Sequence, residues 1–221
     1  MEEFKLDVII ASHPENVSYI ADFQSQAPYM YRFLNLESFA LFPRDPGISP
    51  CLILSKFDLS WPSRFPAWVN EIYAFGNPHY SVYPEGTPSK GERRFIEILE
   101  DQARFAPTAG EAIVKALRQK GLDKSRIGLD GKNLLPATRE MILNSLPEAE
   151  ILEAFELIRV IRMVKTAEEL ECIAAAGVRN ERAMQTVLRH LAEGIREDDL
   201  TQIFLEQTAK EGSVFEFWNS A

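Results

Sequence analysis

RMVKTAEEL, residues 162–170, decides how the rest of the chain is divided. A basic stretch runs into Thr166-Ala-Glu-Glu169. That spacing fits a capping box, in which the threonine oxygen accepts from a first-turn N–H and the glutamate reaches back to the cap. From Leu170 to Leu191, apolar residues then recur at intervals of three and four, including Ile173, Val178, Met184 and Leu188. This spacing marks one face of a long amphipathic helix. Gly194 breaks the pattern, and REDDLTQIFLEQTAKEG (196–212) predicts another helix that ends at Gly212. The stretch therefore reads as a junction between a domain at 1–160 and the opening helices of a second at 161–221.

Working back toward the N-terminus, the pattern changes to strands and short helices. LDVIIA (6–11) is apolar and β-branched, as in a buried strand. Ser12-His-Pro-Glu15 fits a second capping box, with Pro14 early enough that its missing N–H costs little. LESFALFP (36–43) and CLILSKF (51–57) flank the turn residues of RDPGISP and predict a hairpin. EIYAFG (71–76) reads as a further strand at an edge. Helical periodicity over 91–119 is interrupted at Pro107 and closed by Gly121. RIGLD (126–130), LLPATREMILNSL (134–146) and AEILEA (149–154) read as strand, helix and strand, and FELIRVIRMVK (155–165) as a helix. The sum is an α/β fold, a mixed β-sheet with helices packed on it.

Composition bounds the function. The chain has 221 residues, 46% of them hydrophobic, and a net charge of −9. That is enough apolar material for a core, and there is no basic stripe of the kind nucleic-acid binding needs. No apolar run is long enough to span a membrane, and the start lacks a secretory signal pattern. Cys51 and Cys172 lie far apart and read as free thiols of a reducing, cytoplasmic compartment.

IRMVKTAEELECIAAAGVRNERAM (161–184) resembles the segment that opens the catalytic domain in the creatinase, prolidase and Xaa-Pro aminopeptidase family. The family's Arg-x-x-Lys-[Ser/Thr]-x-x-Glu signature is matched by Arg162, Lys165, Thr166 and Glu169. DVIIASHPENVSYIADF resembles its first strand and Asn-x-x-Tyr-[Leu/Ile] helix, through Asn16, Tyr19 and Ile20. Residues 126–158 resemble its later strand-helix-strand, with the Ile-Gly pair and the Leu-Pro before the last strand. The resemblance implies a creatinase/prolidase-like N-terminal domain followed by a helical stub of a truncated "pita-bread" catalytic domain.

The chemistry that the resemblance implies is hydrolysis of the bond before proline in short peptides. Two divalent metals (manganese, cobalt or zinc) on two Asp, one His and two Glu would activate a bridging water. By family layout those ligands lie beyond the opening helix, so no metal ligand and no catalytic residue is carried onto this chain. It is expected to be inactive alone, to aid homodimer formation and to shape substrate access. Tyr29, Tyr31 and Arg32 are candidates for access, with Arg32 meeting a substrate carboxylate bidentately. Alternatively, these aromatics cover the sheet. A metal-free creatinase-like amidinohydrolase and a stand-alone binding or scaffolding module remain as other readings.

Several residues imitate a site. Asp130, in Leu129-Asp130-Gly131, superficially resembles a metal motif but reads as a strand-end turn. Asp198 and Asp199 suit a helix first turn, where carboxylates complement the dipole. His13, His79 and His190 lack partners at zinc-ligand spacing. Asn16 and Tyr19 read as satisfying local backbone groups, and Arg162 and Lys165 as structural contacts at the junction.

Overall fold

LDVIIA is sheltered on both faces. The computed structural model describes residues 1–25, 37–64, 67–77 and 86–212. In it β1 (Val8–Ala11) is buried throughout. Val8 and Ile10 enter one apolar layer, with Phe39, Leu41 and Ile53. Ile9 and Ala11 enter the opposite layer, with Ala40, Leu52 and Leu54. Burial on both faces explains why these strands are continuously apolar instead of alternating.

The expected hairpin is β2 (Ser38–Pro43) with β3 (Cys51–Ser55), in a register that sets Ser38 opposite Leu54 and Leu41 opposite Cys51. Its turn is closed by Asp45, whose Oδ1 accepts from the Gly47 N–H at 2.8 Å. β4 (Glu71–Phe75) runs parallel to β3, and β5 (Phe105–Ala106) parallel to β4. On the other side β6 (Arg126–Leu129) runs parallel to β1, and β7 (Glu150–Glu153) parallel to β6. The order is β5-β4-β3-β2-β1-β6-β7. Among the described strands only β2 opposes the common direction.

Helices cover both faces. They are α1 (Pro14–Ala21), the single-turn α2 (Trp61–Arg64), α3 (Lys90–Glu100), α4 (Ala109–Gln119), α5 (Pro136–Ser145) and α6 (Phe155–Met163). α4 and α5 bring Ile113, Leu117 and Ile142 to the first layer. α1 and α6 bring Val17, Ala21 and Ile158 to the second. Capping boxes Ser89–Glu92 and Thr108–Glu111 start α3 and α4. After α4, Gly121 takes φ +68°, a conformation that glycine adopts without a Cβ clash.

Two expectations are corrected. EIYAFG is not an edge strand, because the two-residue β5 pairs with Ala74 and Phe75 on its outer side. A strand that short leaves no periodic trace, and it sits where the sequence shows only a break between helices. The box at Ser12–Glu15 does not form either. The position before α1 is His13, with no side-chain cap, and Ser12 bonds elsewhere.

The chain divides into two compact units, Met1–Arg162 and Met163–Ala221. In the second, α7 (Ala167–His190) and α8 (Glu197–Lys210) form a pair that buries Ala183, Val187 and Thr208. Arg182 donates to Glu211 at 3.2 Å across the pair. Asp198 and Asp199 stand in the first turn of α8, and Asp199 accepts from the Arg196 N–H at 3.2 Å. Along α7, Leu170, Ile173, Val178, Met184 and Leu188 remain exposed.

Candidate functional site

The common strand direction brings the carboxyl ends of β1, β6 and β7 to one edge of the sheet. The chain leaves β1 toward β2 and returns on its other side as β6. Between strands that diverge in this way, open α/β sheets have a crevice suited to ligands. Here the crevice holds the fully buried Asp130. Its Oδ2 accepts from the backbone N–H groups of His13 at 2.9 Å and Ser12 at 3.3 Å, and from Asn16 Nδ2 at 2.9 Å. Oδ1 accepts from the Lys132 N–H at 3.3 Å. The Ser12 hydroxyl donates to the Asp130 carbonyl, which is why it does not cap α1. A carboxylate far along the chain thus closes the start of α1, where negative charge favours the helix dipole. The His13 ring sits against the Glu15 carboxylate and meets Phe155 edge-on at 5.6 Å.

Asn16 extends the network. Its amide donates to Asp130, and its Oδ1 accepts from Arg162 Nη1 at 2.8 Å. The Arg162 guanidinium carbon lies 5.9 Å from the Tyr19 ring centre, within cation–π range. Pro14, Glu15, Ser18, Tyr19, Gln24 and Arg162 line a cleft of about 230 Å³. Asn16 therefore bonds to side chains far away in sequence, not to local backbone. The distances of 114 and 146 residues hid these pairings, and the one trace was that Asn16 and Arg162 each fall in a stretch resembling a motif of the same family.

Glu37, buried just ahead of β2, stands at the same edge. It accepts from the Leu135 N–H at 2.8 Å and from the Thr138 hydroxyl at 2.7 Å, at the start of α5. Burial pushes its carboxyl above the ordinary range, and those two bonds pull it partly back. Nearby, Ser25 donates to the buried Asp58 at 2.7 Å.

Among the other sequence candidates, Thr166 and Glu169 cap α7, with Glu169 N–H to the threonine oxygen at 3.2 Å and Thr166 N–H to the glutamate at 2.7 Å. Lys165 lies between α6 and α7. Tyr29, Tyr31, Arg32 and His79 lie outside the described residues. Among the described residues no three His, Cys, Asp or Glu side chains converge on a metal position. Cys51 is buried and its thiol is pushed up to about 12, so it stays neutral and is no nucleophile.

By sequence, the chain matches no protein-family model and no curated protein. Solved structures match its fold. The Xaa-Pro dipeptidase from Bacillus anthracis superposes with a TM-score of 0.61 at 15% identity, over 95% of this chain and 46% of that chain. The fold is that of the N-terminal part of the prolidases. Prolidase from Pyrococcus horikoshii gives 0.58 at 14% identity, over 96% of this chain and 46% of its own. X-Pro aminopeptidase from Thermotoga maritima gives 0.57 at 15%, over 93% and 47%. The chain thus spans less than half the length of each of these prolidase-type structures.

Proposed function

We propose that this chain is the N-terminal, non-catalytic part of a proline-specific, metal-dependent peptidase. In this reading residues 1–160 hold two copies together and shape the approach of short proline-containing peptides, and 161–221 begin the catalytic domain. The observation that carries it is the fold match over 95% of this chain to an Xaa-Pro dipeptidase. The cleft on α1 adds a chemical reason, because it sets a guanidinium beside an aromatic ring. Arginine pairs with a peptide's terminal carboxylate, and a tyrosine face packs on a proline ring. The access role of Tyr29, Tyr31 and Arg32 belongs to the same proposal, as does the cytoplasmic location suggested by two free cysteines. Among the described residues no helix is long and apolar enough to cross a membrane. The two divalent metals, Mn, Co or Zn, would be held by residues outside this chain.

Two measurements test the proposal. In solution the 25.1 kDa chain is expected at twice its mass, and a strictly monomeric species at tens of micromolar would overturn the dimer role. Given Mn²⁺ or Co²⁺ and an Xaa-Pro dipeptide, the chain is expected to show no turnover. Metal-dependent hydrolysis by this chain alone would overturn the non-catalytic assignment.

A further inference from the structure

A second pocket, of about 620 Å³, lies between one side of α3, the start of β4 and Arg104. That volume is in the range of small-molecule sites. Four cations line it (Lys90, Arg93, Arg94 and Arg104) against the three carboxylates Glu71, Glu97 and Asp101, on a chain whose net charge is −9. Two of those carboxylates are already neutralised. Asp101 pairs with Arg104 at 2.7 Å, and Glu71 with Lys120 at 2.9 Å and Arg104 at 3.4 Å. Among the described residues Lys90, Arg93 and Arg94 have no carboxylate partner.

Their position is unfavourable for the helix itself. Three cations within the first five residues of α3 face the positive end of its dipole, where acidic residues belong. α3 has Glu92 in its first turn, as α4 has Glu111 and α7 has Glu168 and Glu169, but of the three only α3 sets cations among its first five residues. The Ser89–Glu92 capping box closes the α3 end, so the cations stand on the helix's flank and not over free N–H groups. Among the described residues Arg94 hydrogen-bonds only through Nη1, to Asn70 Oδ1 at 3.4 Å. Its Nη2 is shut off from water without an acceptor, a costly state for a charged donor. Arg93 Nη1 donates to the Pro88 carbonyl at 2.8 Å, a neutral partner that leaves its charge unmatched. Local rules broken in this way are expected at functional or strained sites.

We infer that this pocket binds a small polyanion of the phosphate type. Arg93 and Lys90 would meet its oxygens, and the Arg94 guanidinium behind them would add charge. The inference does not rest on the peptidase reading.

Titration calorimetry of inorganic pyrophosphate into the full chain, with NaCl holding ionic strength constant, tests it. Saturable binding is expected. Arg93→Gln with Arg94→Gln should weaken it by about tenfold or more, as for lost charge-assisted hydrogen bonds, and Glu97→Gln should tighten it. Far-UV circular dichroism checks that the double variant folds. If it does not, amide NMR shifts of the unaltered chain decide, and they are expected within residues 90–104. Absence of saturable binding, equal binding by a folded double variant, or shifts confined elsewhere would each overturn the inference.

Discussion

α4 and α7 begin alike and end up in different surroundings. Each starts with a threonine and a glutamate in a reciprocal capping box, and each carries an apolar stripe. α4 buries Ala109, Gly110, Ala112, Ile113, Val114, Ala116 and Leu117, whereas the much longer α7 buries only Ala183 and Val187. Their glycines show the same contrast. A Cβ on Gly110 would come within 2.7 Å of the Met141 side chain, so α4 and α5 approach closely there. A Cβ on Gly177 would meet nothing within 4 Å. Capping and periodicity specify that a segment is helical, but tertiary partners determine what its stripe contributes.

The largest expected effect is at the stripes. Leu117→Ala should cost about 2–5 kcal/mol in urea unfolding, the range for a buried leucine. Leu188→Ala, at a position 58% exposed, should stay within about 0.5 kcal/mol. A comparable loss at both would mean that the α7 stripe is packed in solution. The glycines sharpen the point at smaller scale. Gly110→Ala should cost about 1–3 kcal/mol by overpacking. Gly177→Ala should stabilise α7 by up to about 1 kcal/mol through helix propensity, read by hydrogen exchange in residues 167–190. Destabilisation at Gly177 would reveal a close neighbour.

The smallest effect concerns pH. The folded-state pKa of Glu37 is raised above 4.5 by burial, so the native state holds its proton more tightly than the unfolded chain does. The stability it contributes is present below that value and is lost as pH rises through the raised one. Glu37→Gln can keep both hydrogen bonds, its oxygen accepting from Leu135 and its amide donating to Thr138. Unfolding titrations across this window should therefore show a flatter profile for the variant. An unchanged slope would mean that Glu37 does not ionise against burial.

Local signals were readable from the sequence. β1, the β2–β3 hairpin, β6 and β7, and the box at Thr166 each depend on residues within a few positions. What failed depended on distance. The serine at position 12 has the right spacing to Glu15, but Asp130, 118 residues away, takes its hydroxyl with the backbone carbonyl and its N–H with the carboxylate. Nothing near Asn16 announces Arg162. β5 has only two residues, and its existence depends on β4 lying beside it. The site was therefore legible as motifs but not as contacts.

The central place of β1 also sets an order on synthesis. Its hairpin side is available once residue 43 has been made, but its other neighbour ends at residue 129. At about 5–20 residues per second, making the 86 residues from Pro43 to Leu129 takes roughly 4–17 s. For that interval the nascent chain carries a half-built sheet, with the apolar β1 as its open margin beside the ribosome. The first strand in the sequence is among the last to be shielded, and a chaperone would have most to protect there.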